Sequence, residues 1–173
     1  MAENATGAAP PQANGAVNQQ LIINAQYIKD LSFENPRAPH SLLQQKEPPE
    51  VQLSVDVKAQ GLGQGVYEVL LTVSAKAIAG GAAAAGGGDP VFVTELTYAA
   101  VVTLRDTPQE LVPVLLLVET PRLLFPFVRS VIANATREGG FPPLLIHPID
   151  FAELLRRQQS AVPAAGASGI ATA

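Results

Sequence analysis

The alternation of apolar and polar positions predicts β-strands in the first two thirds of the chain. Between 51 and 58, apolar residues dominate the odd positions and polar residues the even ones, so one face of this strand is buried and the other is wet. Residues 66–78 repeat the pattern, and the Gly-x-Gly-x-Gly stretch at 61–65 predicts a hairpin connection between the two runs. A shorter β-prone run covers 21–28.

The run 91–104 differs from the others because both of its faces are partly apolar. One face carries Phe92, Leu96, Tyr98, Ala100, Val102 and Leu104, and the other carries Val91, Val93, Ala99 and Val101. This fourth strand is therefore predicted to bury both faces, one in the protein's own core and the other in a subunit contact. The Ala/Gly-rich stretch 79–89 before it predicts a flexible loop.

The chain then changes to helical spacing. Thr107–Glu110 has the form of a capping box with proline at the first helical position, and the helix it starts is predicted to bend or end near Pro113. Apolar residues recur at helical spacing between 124 and 135, with Phe127 on the apolar side and Pro126 in the first turn.

Two features bound the C-terminal helices. Gly139–Gly140 stops the helix before it, and Asp150 with Glu153 three residues later starts the last one. Strands first and helices afterwards predict an α+β domain with an antiparallel sheet. We expect one domain at residues 20–160, between disordered tails at 1–19 and 161–173 that contain few large apolar residues.

The charge distribution predicts an acidic surface on the strand-forming part of the chain. The 173 residues carry a formal net charge of −4, which divides into −6 for residues 1–119 and +2 for the rest. A charged partner that docks on the first part should therefore be basic, and a nucleic-acid partner is not expected. The sequence has no recognisable signal peptide or membrane-spanning run, so we expect a cytoplasmic protein without membrane insertion.

Catalytic and metal-binding patterns are missing from the sequence. There is no cysteine, no Gly-x-Ser-x-Gly elbow and no His/Asp/Glu cluster with metal spacing. The two histidines, His40 and His147, each adjoin a proline and are better explained as loop or packing residues than as catalytic ones. The sequence predicts a binding protein that has no cofactor or metal, and an enzyme using one of the histidines is the weaker alternative.

Several segments, in matching order and spacing, resemble the SecB family. They are the stretch 27–36 (YIKDLSFENP), the stretch 66–69 (VYEV), the helix opening 124–127 (LFPF), the loop 140–144 (GFPPL) and the helix entry 148–151 (PIDF). The resemblance covers about residues 20–158. It implies a four-stranded antiparallel sheet with C-terminal helices packed on one face.

The resemblance also implies a function and partners. SecB-like proteins are chaperones that work without ATP, bind unfolded precursor proteins and deliver them to the SecA translocation ATPase. They are homotetramers, built as dimers of dimers. The basic, zinc-containing C-terminal tail of SecA docks on their acidic sheet face, and the matching positions here are Asp30, Glu34, Val93 and Glu95.

Two further sets of residues follow from the resemblance. The residues expected in the client groove are Phe33, Leu42, Leu43, Phe141 and Leu144, for which local packing that closes the loops is an equal alternative. The residues expected near the dimer–dimer contact are Phe92, Thr94, Leu96 and Tyr98, for which an ordinary core position is an equal alternative. Family members often have aromatic residues near Leu42–Leu43 and at Lys46–Glu47, so the groove departs from the pattern there. A SecB-like chaperone with another client, such as a toxin–antitoxin partner, is the second hypothesis.

Overall fold

The protein folds as an antiparallel sheet followed by helices. The computed structural model describes residues 21–43, 49–79 and 90–161. Its elements are β1 (Leu21–Glu34), α1 (His40–Leu43), β2 (Glu50–Gly63), β3 (Val66–Ile78), β4 (Pro90–Leu104), α2 (Val112–Val114), a π-helical turn (Leu115–Glu119), α3 (Thr120–Glu138) and α4 (Phe151–Ala161). The sheet has four strands in the order β1-β4-β3-β2, which confirms the predicted α+β class.

The β2–β3 hairpin turns where the glycines predicted it. Gln64 and Gly65 form the turn, and Gly63 (φ 101°) and Gly65 (φ 74°) adopt backbone angles that favour glycine. A Cβ on Gly65 would lie 2.9 Å from the carbonyl oxygen of Leu104, so the close approach of β4 also requires glycine there. The strands extend further than predicted, since β1 continues to Glu34 and β2 to Gly63.

The main core lies between one face of the sheet, here called the inner face, and the helices. On β3 and β4 this face presents side chains with no solvent exposure, and the apolar side of α3 packs against them. The buried residues include Val69, Leu71, Val73, Leu96, Ala100 and Val102 from the strands and Leu124, Val128 and Ile132 from α3. The opposite, outer face carries most of the polar residues of the four strands.

The long helical segment corrects three predictions. Thr107 is not an N-cap, because its hydroxyl donates to the carbonyl of Arg105 and the helix begins only at Val112. Pro113 therefore lies in the first helical turn, where a missing N–H costs little, and does not end the helix. The π-helical turn before Pro121 shifts the hydrogen bond of the Thr120 N–H to the carbonyl of Leu115, five residues back. Pro126 lies inside α3 and not in a first turn.

The ends of α3 and α4 agree with the sequence. Gly139 caps α3, and Gly140 has a φ of +88°. The N–H of Glu153 donates to Oδ1 of Asp150 at 3.0 Å, as expected for an N-cap. The predicted tails 1–19 and 161–173 lie outside the described residues apart from Ala161, and so does the 79–89 loop beyond Ala79. Among the described helices, none is long and apolar enough to cross a membrane.

Candidate functional site

Three exposed carboxylates form a row on the outer face. In the β1–β4 register, Glu34 pairs with Val93, Ser32 with Glu95 and Asp30 with Thr97. Glu95 is thus the diagonal neighbour of both Asp30 and Glu34, and the backbones of diagonal neighbours in a sheet lie about 7–8 Å apart. These three acids, hereafter the acidic row, make no salt bridge with any described residue. The four predicted docking positions are therefore adjacent on one surface, with Val93 half-buried among the acids.

A β-bulge in β1 determines which side chains reach this face. Ile28 pairs with Tyr98 and Asp30 with Thr97, so Lys29 is an extra residue with no partner on β4. Strand side chains alternate between faces, and with regular pairing after Ile28, Lys29 would pair with Thr97 and Asp30 with the inner-face residue Leu96. The bulge therefore places Asp30, Ser32 and Glu34 on the face that carries Glu95.

Next to the row, a buried carboxylate accepts hydrogen bonds from residues of two other strands, β1 and β2. Glu68 of β3 is only 5% exposed, and Lys29 Nζ lies 2.8 and 2.9 Å from its two oxygens. The hydroxyl of Tyr27 and the amide of Gln60 also donate to it. The hydrogen bond from Lys29, followed by that from Tyr27, lowers the pKa of Glu68, so the carboxylate stays ionised. The same Tyr27–Glu68 bond raises the pKa of Tyr27.

Reaching Glu68 from β1 means crossing β4, and a small residue makes this possible. Tyr27 pairs with Ala99, and Glu68 pairs with Val101 on the other side of β4. Ala99 is fully buried beneath this connection. At this point a network of polar side chains covers the outer face, whereas the carboxylates of the acidic row are exposed to solvent.

Three phenylalanines form a second feature at the end of the inner face. The ring centroids of Phe33 and Phe92 are 5.6 Å apart, those of Phe92 and Phe141 5.0 Å, and those of Phe33 and Phe141 6.4 Å. Phe92 and Phe141 are buried, whereas Phe33 is only partly covered. These rings, hereafter the aromatic cluster, form a small core of their own beside the main one.

The end of α3 and the short helix α1 frame the aromatic cluster. Gly139 lies against the ring of Phe33 so closely that a Cβ would overlap it, and a Cβ on Gly140 would be 3.1 Å from a methyl group of Leu42. Ser41 donates to Asn35 at 2.9 Å, which ties α1 to the end of β1. Leu42 and Leu43 remain 44% and 78% exposed. A partly open aromatic surface with exposed leucines beside it can take apolar side chains of another chain.

Not all of the predicted groove residues meet in this place. Leu144 packs against the main core, and its N–H donates to the hydroxyl of the buried Thr136 at 2.9 Å. Phe92, predicted near a subunit contact, belongs to the aromatic cluster. Sequence reasoning did not place it beside Phe33 and Phe141, although it has the parity of Thr94, the β4 partner of Phe33.

The other residues predicted near the dimer–dimer contact are buried within the protomer. Thr94 and Leu96 have no exposure, and the Thr94 hydroxyl donates to the carbonyl of Ser32. Tyr98 is 8% exposed and stacks on Phe127 with ring centroids 6.2 Å apart. These positions fit the core alternative within one subunit.

An exposed apolar surface lies above Tyr98, between β1 and α3. Phe127 is 45% exposed, which corrects its predicted place on the buried side of the helix. The exposed apolar side chains here are Ile28, Leu31, Leu123 and Phe127. Beside them is an open cavity of about 420 Å³ lined by residues of β1 and by Leu123 and Phe127. We call these four side chains the helix-side patch.

The sequence match decides the family. The family model described as preprotein translocase subunit SecB matches residues 14–162. This chain belongs to the SecB family. SecB proteins are chaperones of protein export and not enzymes. His40 and His147 are both exposed in this SecB protein, one at the start of α1 and the other before α4.

Individual relatives support the assignment along most of the chain. Protein-export protein SecB 1 of Gluconobacter oxydans is 46% identical over 170 residues, which cover 95% of this chain and 98% of the relative. The SecB of Rhodospirillum centenum is 48% identical over 139 residues, with 80% of this chain and 79% of the relative covered.

A solved structure shares the fold. It is a SecB-like chaperone of Mycobacterium tuberculosis in complex with a ChAD peptide from the HigA1 antitoxin. The TM-score is 0.55 and the identity 16%, over 77% of this chain and 93% of that protein. At this identity the likeness establishes the SecB fold of the sheet and helices.

Proposed function

We propose that this SecB protein is an ATP-independent chaperone that holds unfolded precursor proteins in a translocation-competent state and delivers them to SecA. The observation that carries the proposal is the aromatic cluster, which is partly open beside Leu42 and Leu43. An unfolded chain exposes apolar side chains that a folded protein has buried. Such a surface therefore binds unfolded proteins in preference to folded ones without recognising a particular amino-acid sequence.

The binding energy of this surface comes from apolar burial. Burial contributes about 25 cal/mol per Å² whatever the order of the client's residues, so many precursors fit. One cluster binds weakly, but a long client can reach several clusters in an oligomer, and the first contact raises the effective concentration for the next. Slow-folding precursors are captured because they stay unfolded long enough to wrap around the chaperone.

We propose that the acidic row is the docking surface for the basic, zinc-containing C-terminal tail of SecA. Support comes from the adjacency of Asp30, Glu34 and Glu95 and from their exposure without a salt-bridge partner among the described residues. Exposed ion pairs contribute only about 0–1 kcal/mol each, so the three acids should act together. Binding through them should weaken as salt increases.

We further propose that the protein assembles in the cytoplasm as a homotetramer, a dimer of dimers. The helix-side patch supports this, because it leaves four large apolar side chains exposed on the helix side of the sheet. A second copy that covers them would bury Phe127 and complete the cover over Tyr98.

Refolding of a slow-folding precursor tests the holding activity. The precursor is diluted from denaturant with and without this protein, in the absence of nucleotide. We expect a near-stoichiometric amount to stop refolding and aggregation, and the native precursor to be ignored. Unchanged refolding at micromolar tetramer would contradict the proposal and leave an interaction module with a SecB fold.

A zinc-loaded peptide of the SecA tail tests the docking surface. We expect salt-sensitive binding by wild type and a loss of more than about tenfold in the triple variant D30N/E34Q/E95Q, since each exposed pair contributes little alone. The variant E50Q/D106N/E110Q, which neutralises three exposed acids outside the row, is the matched control. A protein that arrests refolding but does not bind the peptide at low salt would support the other hypothesis, a chaperone with a toxin–antitoxin client.

A further inference from the structure

Lys29 is an unexpected residue at the edge of an acidic docking surface. It immediately precedes Asp30 and lies on the outer face, where its positive charge opposes the binding of a basic partner. Its ammonium group, however, is bound to both oxygens of Glu68, at 2.8 and 2.9 Å. The lysine thus points across β4 toward β3 and away from the row.

The position of Lys29 in the strand gives this ion pair a structural consequence. Lys29 is the extra residue of the β1 bulge, between the Ile28–Tyr98 and Asp30–Thr97 pairs. The extra residue of a bulge is left unpaired in the strand ladder, so side-chain contacts contribute more to fixing its position. Glu68 is a rigid anchor because it is buried and is also bound by Tyr27 and Gln60.

We propose that Lys29 and Glu68 are positioning residues for the acidic row. Their ion pair fixes the bulge, and the bulge keeps Asp30 and Glu34 on the same face as Glu95. A one-residue slip after Ile28 would send Asp30 and Glu34 to the inner face and leave Glu95 alone. The inference rests on the proposed docking of a basic tail at the acidic row.

A second lysine on the same face provides the matched control. Lys76 of β3 pairs with Val93, so it borders the row from the other side of β4. It is exposed, lies in a regular stretch of the strand and forms no salt bridge with the described residues. Lys76 and Lys29 therefore carry the same charge next to the same acids, but only Lys29 holds a bulge.

A lysine that only adds positive charge and a lysine that anchors the bulge predict opposite changes in the Kd of a basic peptide. If charge alone matters, removing either lysine makes the surface more acidic and tightens the binding of a basic peptide. We expect K76M to do so, with a Kd about two- to fivefold lower at low salt. We expect K29M to raise the Kd by at least about threefold, because the loss of the aligned row outweighs the gain in net negative charge.

The closing experiment measures the Kd of the zinc-loaded SecA tail peptide for wild type, K29M, K76M and the double variant K29M/E68Q. The double variant leaves no uncompensated buried carboxylate, so its stability is not lowered by one. Weaker binding by K29M and the double variant, with refolding arrest retained, supports the proposal. Tighter binding by K29M, as for K76M, overturns it.

Amide hydrogen exchange of the same variants reports on the bulge without any partner. We expect faster exchange at residues 28–32 in K29M and K29M/E68Q than in wild type or K76M. Unchanged exchange there overturns the anchoring role even if binding changes. If the wild-type protein does not bind the peptide, the docking proposal is wrong. The exchange data still test whether Lys29 anchors the bulge, because they require no partner.

Discussion

The ring of Phe33 fills the space that a side chain on Gly139 would need. Phe33 is at the end of β1, and Gly139 caps α3, so the strand and the helix meet at this contact. Gly139 has a φ of −71°, which any residue adopts, and its glycine is required by the neighbouring ring and not by the backbone. The contact holds the ring of Phe33, the partly exposed member of the aromatic cluster, in position.

Replacing Gly139 with alanine should therefore disturb the aromatic cluster. The new methyl group overlaps the Phe33 ring, and overpacking of this kind costs about 1–3 kcal/mol in the free energy of unfolding. Urea unfolding measures this loss, and the refolding assay should show weaker client capture. In the control variant G61A, the new Cβ is 3.9 Å from Tyr67, an ordinary contact, and stability should change little. Equal stability of G139A and wild type would contradict the role of this contact.

The strand pattern was predictable because it follows from a local repeat. The period of two over 66–78 marks which side chains of β3 enter the core. In β2, an edge strand, only Val57 of the apolar set at 51–58 is buried, and Leu53 is 46% exposed. The sequence could also place Asp150 as an N-cap, since capping depends on neighbouring residues. The family resemblance supplied the acidic positions, and the β1–β4 register then brought them together.

Features that depend on distant contacts were not predictable in the same way. Pro113 suggested an interruption and Pro126 a first turn, but the helical segment runs through both prolines, with a π-helical turn between them. Phe127 has the right spacing for the core, but it stacks on Tyr98 beside an open cavity lined by β1 and stays 45% exposed. The Lys29–Glu68 pair joins strands that are distant in sequence and requires the bulge, which has no signature in the hydrophobic pattern.

Serine at Leu42 and Leu43 should separate client binding from stability. Leu43 is 78% exposed and Leu42 44%, so the free energy of unfolding of L42S/L43S should fall by about 0.5 kcal/mol or less at Leu43 and by up to about 1 kcal/mol at Leu42, whose methyl groups lie near Gly140. Because fully burying a leucine contributes about 1.5–3 kcal/mol and about 1.4 kcal/mol is tenfold in Kd, the loss of even one such contact should raise the Kd for an unfolded client at least about tenfold. Fluorescence anisotropy with a labelled unfolded precursor measures it. L62S, at a leucine 55% exposed near the β2–β3 turn, should bind clients as wild type does; a similar loss there would contradict a local groove.

Glu68 should make stability depend on acid pH. Its pKa lies below the ordinary value of 4.5 because Lys29 and Tyr27 bind the ionised carboxylate. Its contribution to the free energy of unfolding is therefore fully present above about pH 4.5 and is lost as the pH falls through the lower folded-state pKa. E68Q should be less stable at pH 7 by about 1 kcal/mol and should lose less stability on acidification than wild type. Urea unfolding at pH 7 and pH 4 tests this, with E50Q, at an exposed acid of β2, as control. Parallel losses in E68Q and wild type would contradict it.

A charge on the helix-side patch should break the proposed tetramer without unfolding the protomer. Phe127 is 45% exposed in the protomer, so F127D loses little beyond its stacking on Tyr98, which is worth about 0.5–1.5 kcal/mol. In an assembly that covers the patch, the aspartate would be buried without a partner, and such a charge is strongly unfavourable. Light scattering after size-exclusion chromatography should show a smaller species for F127D. Q159D, which adds the same charge at an exposed position of α4, should keep the wild-type mass. If F127D also keeps that mass, the subunit contact lies elsewhere on the protomer.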